Sequence, residues 1–388
     1  MKIAIISIMG GFPWGGSEYL WTVTAEQALY EGHEVFISIY DWSLTHPLIL
    51  QLQSQGAHLL PRPRFPAHLS PSLTARVIRK IKKKISFFDE PLPTSFYQSV
   101  FDCQPDVICI SQGGSYDIIE CPDLLNLLES NSIPYFIICQ FNCEFALNDA
   151  TRTIAQKFFT QALQVGFVSH HNLKLAERQL AKSLPNAVVV QNPVNLADHS
   201  LVPFPNHSTI SFANVARLET FVKGQDILLE ALSFPIWQER DWQCCLYGSG
   251  ADLYYLENLA HHYKISDRIK FMGHINDVRS IWVENHLLVL ASRGEGTPLA
   301  LVEAMLCGRP AVVTNVGGNS EWIEELQTGF IAEAATARSI SDALERAWLS
   351  QLDWQKMGIK AHKYATTKLD KSPGRHLLNM ILDRKQTY

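Results

Sequence analysis

A chain of 388 residues, 47% apolar and 18% charged, is too long for one ordinary domain and too apolar for disorder; two domains of roughly 150–200 residues suit it. Its net charge of −5 argues against a general nucleic-acid binder, which carries a basic field. No uninterrupted apolar run is long enough to span a bilayer, and the eight cysteines include no CxxC pair, so neither a zinc site nor a disulfide framework is indicated.

The chain opens on an apolar run, 2–8, that Gly10-Gly11-Phe12-Pro13 ends without a cleavage pattern. It reads as a first β-strand and not as a signal peptide, which makes the cytosol the expected compartment. Further β-branched runs follow at 33–40, 106–110, 134–139, 164–168 and 187–190, with helical patterns between most of them, as at 17–31, 117–130 and 170–182. Residues 61–98 break the alternation and read as an insertion. Within it, the run 76–88 places Val77, Ile81 and Phe88 on one helical face among lysines and arginines. Such a basic amphipathic helix suits an anionic membrane surface. A polar, Pro-rich stretch from Gln191 to Asn206 then reads as a linker.

Beyond the linker, strands are expected at 209–215, 242–247, 268–272, 286–291 and 310–314, and helices near 224–232, 251–263, 298–307 and 336–350. Alternation of this kind predicts parallel sheets with helices on both faces. The expected fold class is therefore α/β, two Rossmann-like doubly wound domains facing each other across a cleft. Residues 1–195 form the first, 205–365 the second, and 366–388 a helical tail. Ligands of such sheets bind beyond the carboxyl ends of the strands.

In the second half those ends carry glycine, charge and small polar residues. They are Ala216-Arg217-Leu218-Glu219 with Lys223-Gly224, Gly248-Ser249-Gly250, Gly273-His274, Ser292 through Pro298, and Gly317-Gly318-Asn319. Thr297 suits a helix N-cap and Pro298 the first helical position. The unpaired N–H groups of Leu299 and Ala300 would then make an anion site that fits a diphosphate. Arg217 and Lys223 add positive charge to neutralise it. Glu295 can accept hydrogen bonds from sugar hydroxyls, and Glu303 can bind a ribose diol. His170-His171 and His261-His262 lack metal-ligand spacing.

Val215-Ala216-Arg217-Leu218 with Lys223-Gly224, Glu295-x7-Glu303-Ala304-Met305 and Cys307-Gly308-Arg309-Pro310 resemble the retaining GT-B glycosyltransferases of family 4 (glycosyl transferases group 1). Gly15-Gly16-Ser17-Glu18 is similar to that family's glycine-rich loop, which approaches the donor phosphates from the other domain. The resemblance implies a GT-B architecture, with the acceptor on the first domain and a nucleotide-sugar donor on the second. UDP is the commoner donor nucleotide and GDP the alternative. It implies Arg217 and Lys223 on the diphosphate, Glu303 on the ribose, and Glu295 with Gly296, Thr297, Pro298, Leu299 and Ala300 on the sugar and phosphates. Gly15, Gly16, Gly248 and His274 complete the expected donor site. No cofactor or metal is implied, and Asp-x-Asp is absent from the sequence. The acceptor expected is a glycan, lipid-linked if the 76–88 segment meets a membrane. One departure stands out: Gln140-Phe141-Asn142-Cys143-Glu144 places Asn142 where many members carry a histidine directed at the donor sugar. A nucleotide-sugar epimerase or sugar-phosphate synthase on the same fold, and a non-catalytic nucleotide-sugar or glycan-binding protein, are the alternatives. A dehydrogenase fits less well, because no compact GxGxxG follows the first strand.

Overall fold

The computed structural model describes residues 1–63 and 95–383. The basic segment 76–88, most of the stretch 61–98 and residues 384–388 lie outside the described residues. The first sheet contains β1 (Lys2–Ser7), β2 (Glu34–Tyr40), β3 (His58–Arg62), β4 (Val107–Gln112), β5 (Tyr135–Cys139), β6 (Gln164–Phe167) and β7 (Ala187–Val189). All its pairings are parallel, in the order β3-β2-β1-β4-β5-β6-β7. The second contains β8 (Ile210–Val215), β9 (Trp242–Tyr247), β10 (Ile269–Gly273), β11 (Leu287–Leu290), β12 (Ala311–Thr314) and β13 (Gly329–Ala332), in the parallel order β10-β9-β8-β11-β12-β13. These are two parallel-sheet, Rossmann-like α/β domains. Strand order reverses between β1 and β4 and again between β8 and β11, and each reversal opens a crevice where the preceding strand's loop parts from its neighbour.

Three local features depart from the periodicity. Pro61 and Arg62, at the start of the expected insertion, instead complete β3, an edge strand paired with β2. An edge tolerates a proline that cannot donate to a ladder. The four-residue β13, Gly329–Ala332, opens on a glycine and lacks a readable β-branched run. The expected helix 117–130 is broken at Cys121, where a short 3₁₀ turn, Asp117–Glu120, gives way to helix Pro122–Asn131 with proline in its first turn.

The linker and tail tie the domains together. Arg309 is 1% exposed, and its guanidinium donates to the carbonyls of Trp282, Asn285, Val202, Pro203 and Cys307. It therefore fastens the linker to the second domain, and burial lowers its pKa to about 10. Helix Trp354–Lys368 packs on helix Leu299–Leu306, and after it the chain crosses back. Helix Pro373–Leu382 then lies along helix Glu18–Tyr30, burying Leu377, Leu378 and Ile381 in the same core as Trp21. Where the two crossings meet, Gln191 Nε2 donates to Lys368 O (3.1 Å) and Asp370 N donates to Gln191 Oε1 (2.8 Å).

Candidate active site

The loop after β8 carries Arg217 into the cleft between the domains because its neighbours turn inward. Leu218 is buried, and Gln225 Nε2 holds the Arg217 carbonyl at 2.7 Å. Gly248 and Gly250 allow the β9 loop to close on this one. A Cβ on Gly248, at φ +136°, would lie 2.1 Å from Ala216 O, and one on Gly250 2.2 Å from Leu218 O. The Gly248-Ser249-Gly250 turn thus has a packing reason of its own.

Lys223 ends the short helix Thr220–Lys223, and Gly224 turns the chain at φ +63°. The ammonium of Lys223 donates to both oxygens of Glu295 at 2.8 Å, and Ser292 Oγ donates to Oε1 at 2.7 Å. Glu295 is 4% exposed, so its charge is buried with its counter-ion. Arg293 braces the same loop through a bidentate pair with Asp226 (2.8 and 2.7 Å), which pulls the guanidinium pKa up.

The loop 293–297 is also where the domains meet. Glu295 forms an antiparallel bridge with Asn142, and Asn172 Nδ2 donates to Glu295 O at 2.9 Å. His171 N donates to Glu321 Oε1 at 2.8 Å. A Cβ on Gly296 would meet Gln140 O at 2.1 Å, and one on Gly317, at φ +52°, would meet Glu295 O at 2.3 Å. The N-cap of helix Leu299–Leu306 is Pro298, not Thr297, and Leu299 is the first helical residue. Thr297 Oγ1 is drawn away to Val168 O of the first domain, 2.6 Å distant. Leu299 and Ala300 precede the first bond of the helix, made by Leu301 N to Pro298 O at 3.1 Å. Their N–H groups occupy its electropositive end. Gly16 of the first domain lies against this end, since a Cβ there would be 3.5 Å from Leu299 Cδ1. Gly15 packs against Met9.

The remaining expected residues divide. Glu303 is 7% exposed and buried next to this helix end. Asn142 is 2% exposed, and its side chain is spent on the loop: Nδ2 donates to Gln179 Oε1 and Oδ1 accepts from Cys143 N, both at 2.9 Å. Its link to Glu295 is through the backbone. His274 is exposed beyond β10, the edge strand, two strands out from β8. Trp14 stacks on His46 with centroids 3.6 Å apart. Sequence reasoning placed Ser292 in the strand-end loop without a role, and missed Asn172 and Gln179, which carry no local signal and are recruited by the apposition of segments distant in sequence. Among the described residues no group of three His, Cys, Asp or Glu side chains is placed to hold a metal ion, and no helix is long and apolar enough to cross a membrane.

Known proteins share both the sequence of the second domain and the fold of the whole. Residues 203–364 match the family described as Glycosyl transferases group 1. This stretch resembles a glycosyl transferases group 1 domain. It contains Arg217, Lys223, Glu295 and Glu303, whereas Gly15, Gly16 and Asn142 come to it from the other domain. The whole described fold is GT-B: Anabaena Alr3699/HepE, solved in complex with UDP, superposes at a TM-score of 0.68 with 15% identity, over 98% of this chain and 99% of that one. A human phosphatidylinositol N-acetylglucosaminyltransferase subunit is 27% identical over 209 residues, 52% of this chain and 43% of the human one. The N-acetyl-alpha-D-glucosaminyl L-malate synthase of Bacillus anthracis is 33% identical over 104 residues, 27% of each chain. The matched part is thus less than half the length of these relatives. Surface cavities of the second domain, about 420 Å³ beside Phe234 and Arg338 and about 290 Å³ beside Leu201 and Ile359, are lined by none of the cleft residues.

Besides Glu295, two carboxyls are buried among the described residues, one in each domain. Burial pushes Glu303 in the second domain from 4.5 up to about 7. It does the same to Glu18, despite the hydrogen bonds that Ser7 Oγ (2.8 Å) and Trp21 Nε1 (3.0 Å) donate to it. A carboxyl raised in the folded state stabilises fully below its unfolded pKa, and that stability is lost as pH rises through the folded one. Stability should therefore fall between pH 4.5 and about 7, by on the order of 3 kcal/mol per group. Thermal melts should show Glu303→Gln above the wild type at pH 8 and level with it at pH 4.5.

Proposed function

We propose that the protein is a retaining, metal-independent glycosyltransferase that moves a sugar from a nucleotide sugar, a UDP-sugar, to a glycan or lipid-linked acceptor. The observation that carries the reading is a convergence. Arg217, the Lys223–Glu295 pair and the N-terminal end of helix Leu299–Leu306 meet at one switch point, with Gly16 of the other domain closing over them. The UDP complex of Anabaena HepE supports a uridine nucleotide, and the name of the human relative supports a lipid acceptor. The basic pattern of residues 76–88 agrees with an acceptor at a membrane surface.

In this reading the diphosphate lies against the first turn of that helix. Arg217 and Lys223 stabilise the charge that develops on the leaving phosphate oxygen. The bond from the anomeric carbon to that oxygen breaks, and its electron pair leaves with the diphosphate. The acceptor oxygen bonds to the same face of the anomeric carbon, and its proton passes to a phosphate oxygen. Glu295, held from both sides, orients Lys223 and the sugar hydroxyls, and Glu303 takes the ribose diol. Close apposition of the domains excludes water.

The test follows nucleotide sugars by NMR in EDTA with glycan and lipid-linked acceptors. Transfer from an α-linked UDP-sugar should give an α-linked product. A β-linked product, or activity that EDTA abolishes, would overturn the corresponding part of the proposal.

A further inference from the structure

Arg217 has a partner that its own domain does not supply. The ring of Phe12, on the loop after β1, lies over its guanidinium with the centroid 3.7 Å from Cζ. Phe12 is 39% exposed, so burial alone does not explain the placement of a phenylalanine on a loop of glycines and proline. A guanidinium engages an aromatic face through its own flat face and donates hydrogen bonds in its plane. The two modes do not compete. Stacked on Phe12, Arg217 keeps its in-plane N–H groups for a ligand: Nη2 lies 3.1 Å from Glu219 Oε2 as an ion pair, without the alignment of a hydrogen bond.

From this geometry we infer that Phe12 is a positioning residue for the donor: it holds Arg217 by its face, so that a diphosphate can engage the in-plane donors while the stack persists. The inference rests on the donor reading above. Without the stack, Arg217 is an exposed side chain with several rotatable bonds and a neighbouring carboxylate to hold it along its own domain. With it, the rotamer that faces the cleft is set before the diphosphate arrives, and less conformational entropy is lost on binding. Because the stack joins the domains, any ligand that strengthens it also favours their apposition. Linkage makes this reciprocal.

Calorimetric titration with UDP and with GDP tests this on the wild type, Phe12→Ala, Phe12→Leu, Phe12→Trp, Arg217→Ala and the double variant Phe12→Ala/Arg217→Ala. Phe12 lies on a surface loop, and thermal melts establish that each variant is folded. Phe12→Ala and Phe12→Leu should weaken nucleotide binding about threefold to tenfold, and Phe12→Trp should restore it. In the Arg217→Ala background, Phe12→Ala should cost nothing further. Wild-type affinity in Phe12→Ala or Phe12→Leu, or a Phe12→Ala loss that adds in full to that of Arg217→Ala, would overturn the inference and leave the donor reading standing. A folded wild type that binds neither UDP nor GDP would instead overturn the donor reading, and this inference with it.

Discussion

Lys223→Ala should lower transfer by about 10²–10³-fold, the usual loss when one preorganised stabiliser of developing charge is removed. It should also cost stability. The Lys223 side chain is 17% exposed and that of Glu295 5%, so the substitution leaves a buried carboxylate with only Ser292 for company. Breaking a buried pair from one side typically costs about 3–5 kcal/mol. Activity and stability can be separated with Lys223→Ala/Glu295→Gln, in which the stranded charge is removed. Chemical denaturation should show most of the stability recovered, while the transfer rate stays low. Recovery of both would mean that Lys223 acts only by neutralising Glu295. Arg217 should behave differently, because its side chain is 46% exposed: its loss affects turnover and barely moves the melting temperature.

Gly296→Ala should be nearly as damaging to turnover without unfolding either domain. The added methyl would stand 2.1 Å from Gln140 O and 2.9 Å from Val168 Cγ2, both in the first domain. Neither the backbone carbonyl nor the β-sheet end behind it can give way by the ångström or more required. The cheapest relief is for the domains to move apart at this point. That breaks the Thr297–Val168 and Asn172–Glu295 hydrogen bonds and lifts the first-domain loop off Leu299. A misplacement of about 1 Å can cost roughly a hundredfold in rate. Small-angle scattering should report a more extended particle with unchanged secondary structure. An unchanged rate would mean that the apposition at Gly296 is not required for transfer.

Both substitutions act where the sequence was least readable. Parallel strands and their crossover helices are local patterns, and β-branched runs such as 242–247 mark them without outside help. Only strands lacking that signal escaped, such as β3 with its proline and β13 with its leading glycine. The placement of Arg217, Lys223 and Glu295 in loops beyond the carboxyl ends of parallel strands was also legible. Their mutual arrangement was not. Nothing in the spacing of Lys223 and Glu295 says that they pair. Thr297 reads as an N-cap until the carbonyl of Val168, 129 residues away, offers its hydroxyl a better partner. Asn142 reads as a sugar contact until Gln179 takes its amide. Phe12 carries no signal at all, because its partner belongs to the other domain.

The most direct test of the central claim is a calorimetric titration of the folded protein with UDP and with GDP in EDTA, repeated on Lys223→Ala. UDP should bind without a metal ion and raise the melting temperature as native-state ligands do, and Lys223→Ala should abolish both effects. Absence of binding by either nucleotide, in protein that melts cooperatively, would mean that the cleft formed by Arg217, Lys223 and the first turn of helix Leu299–Leu306 is not a donor site.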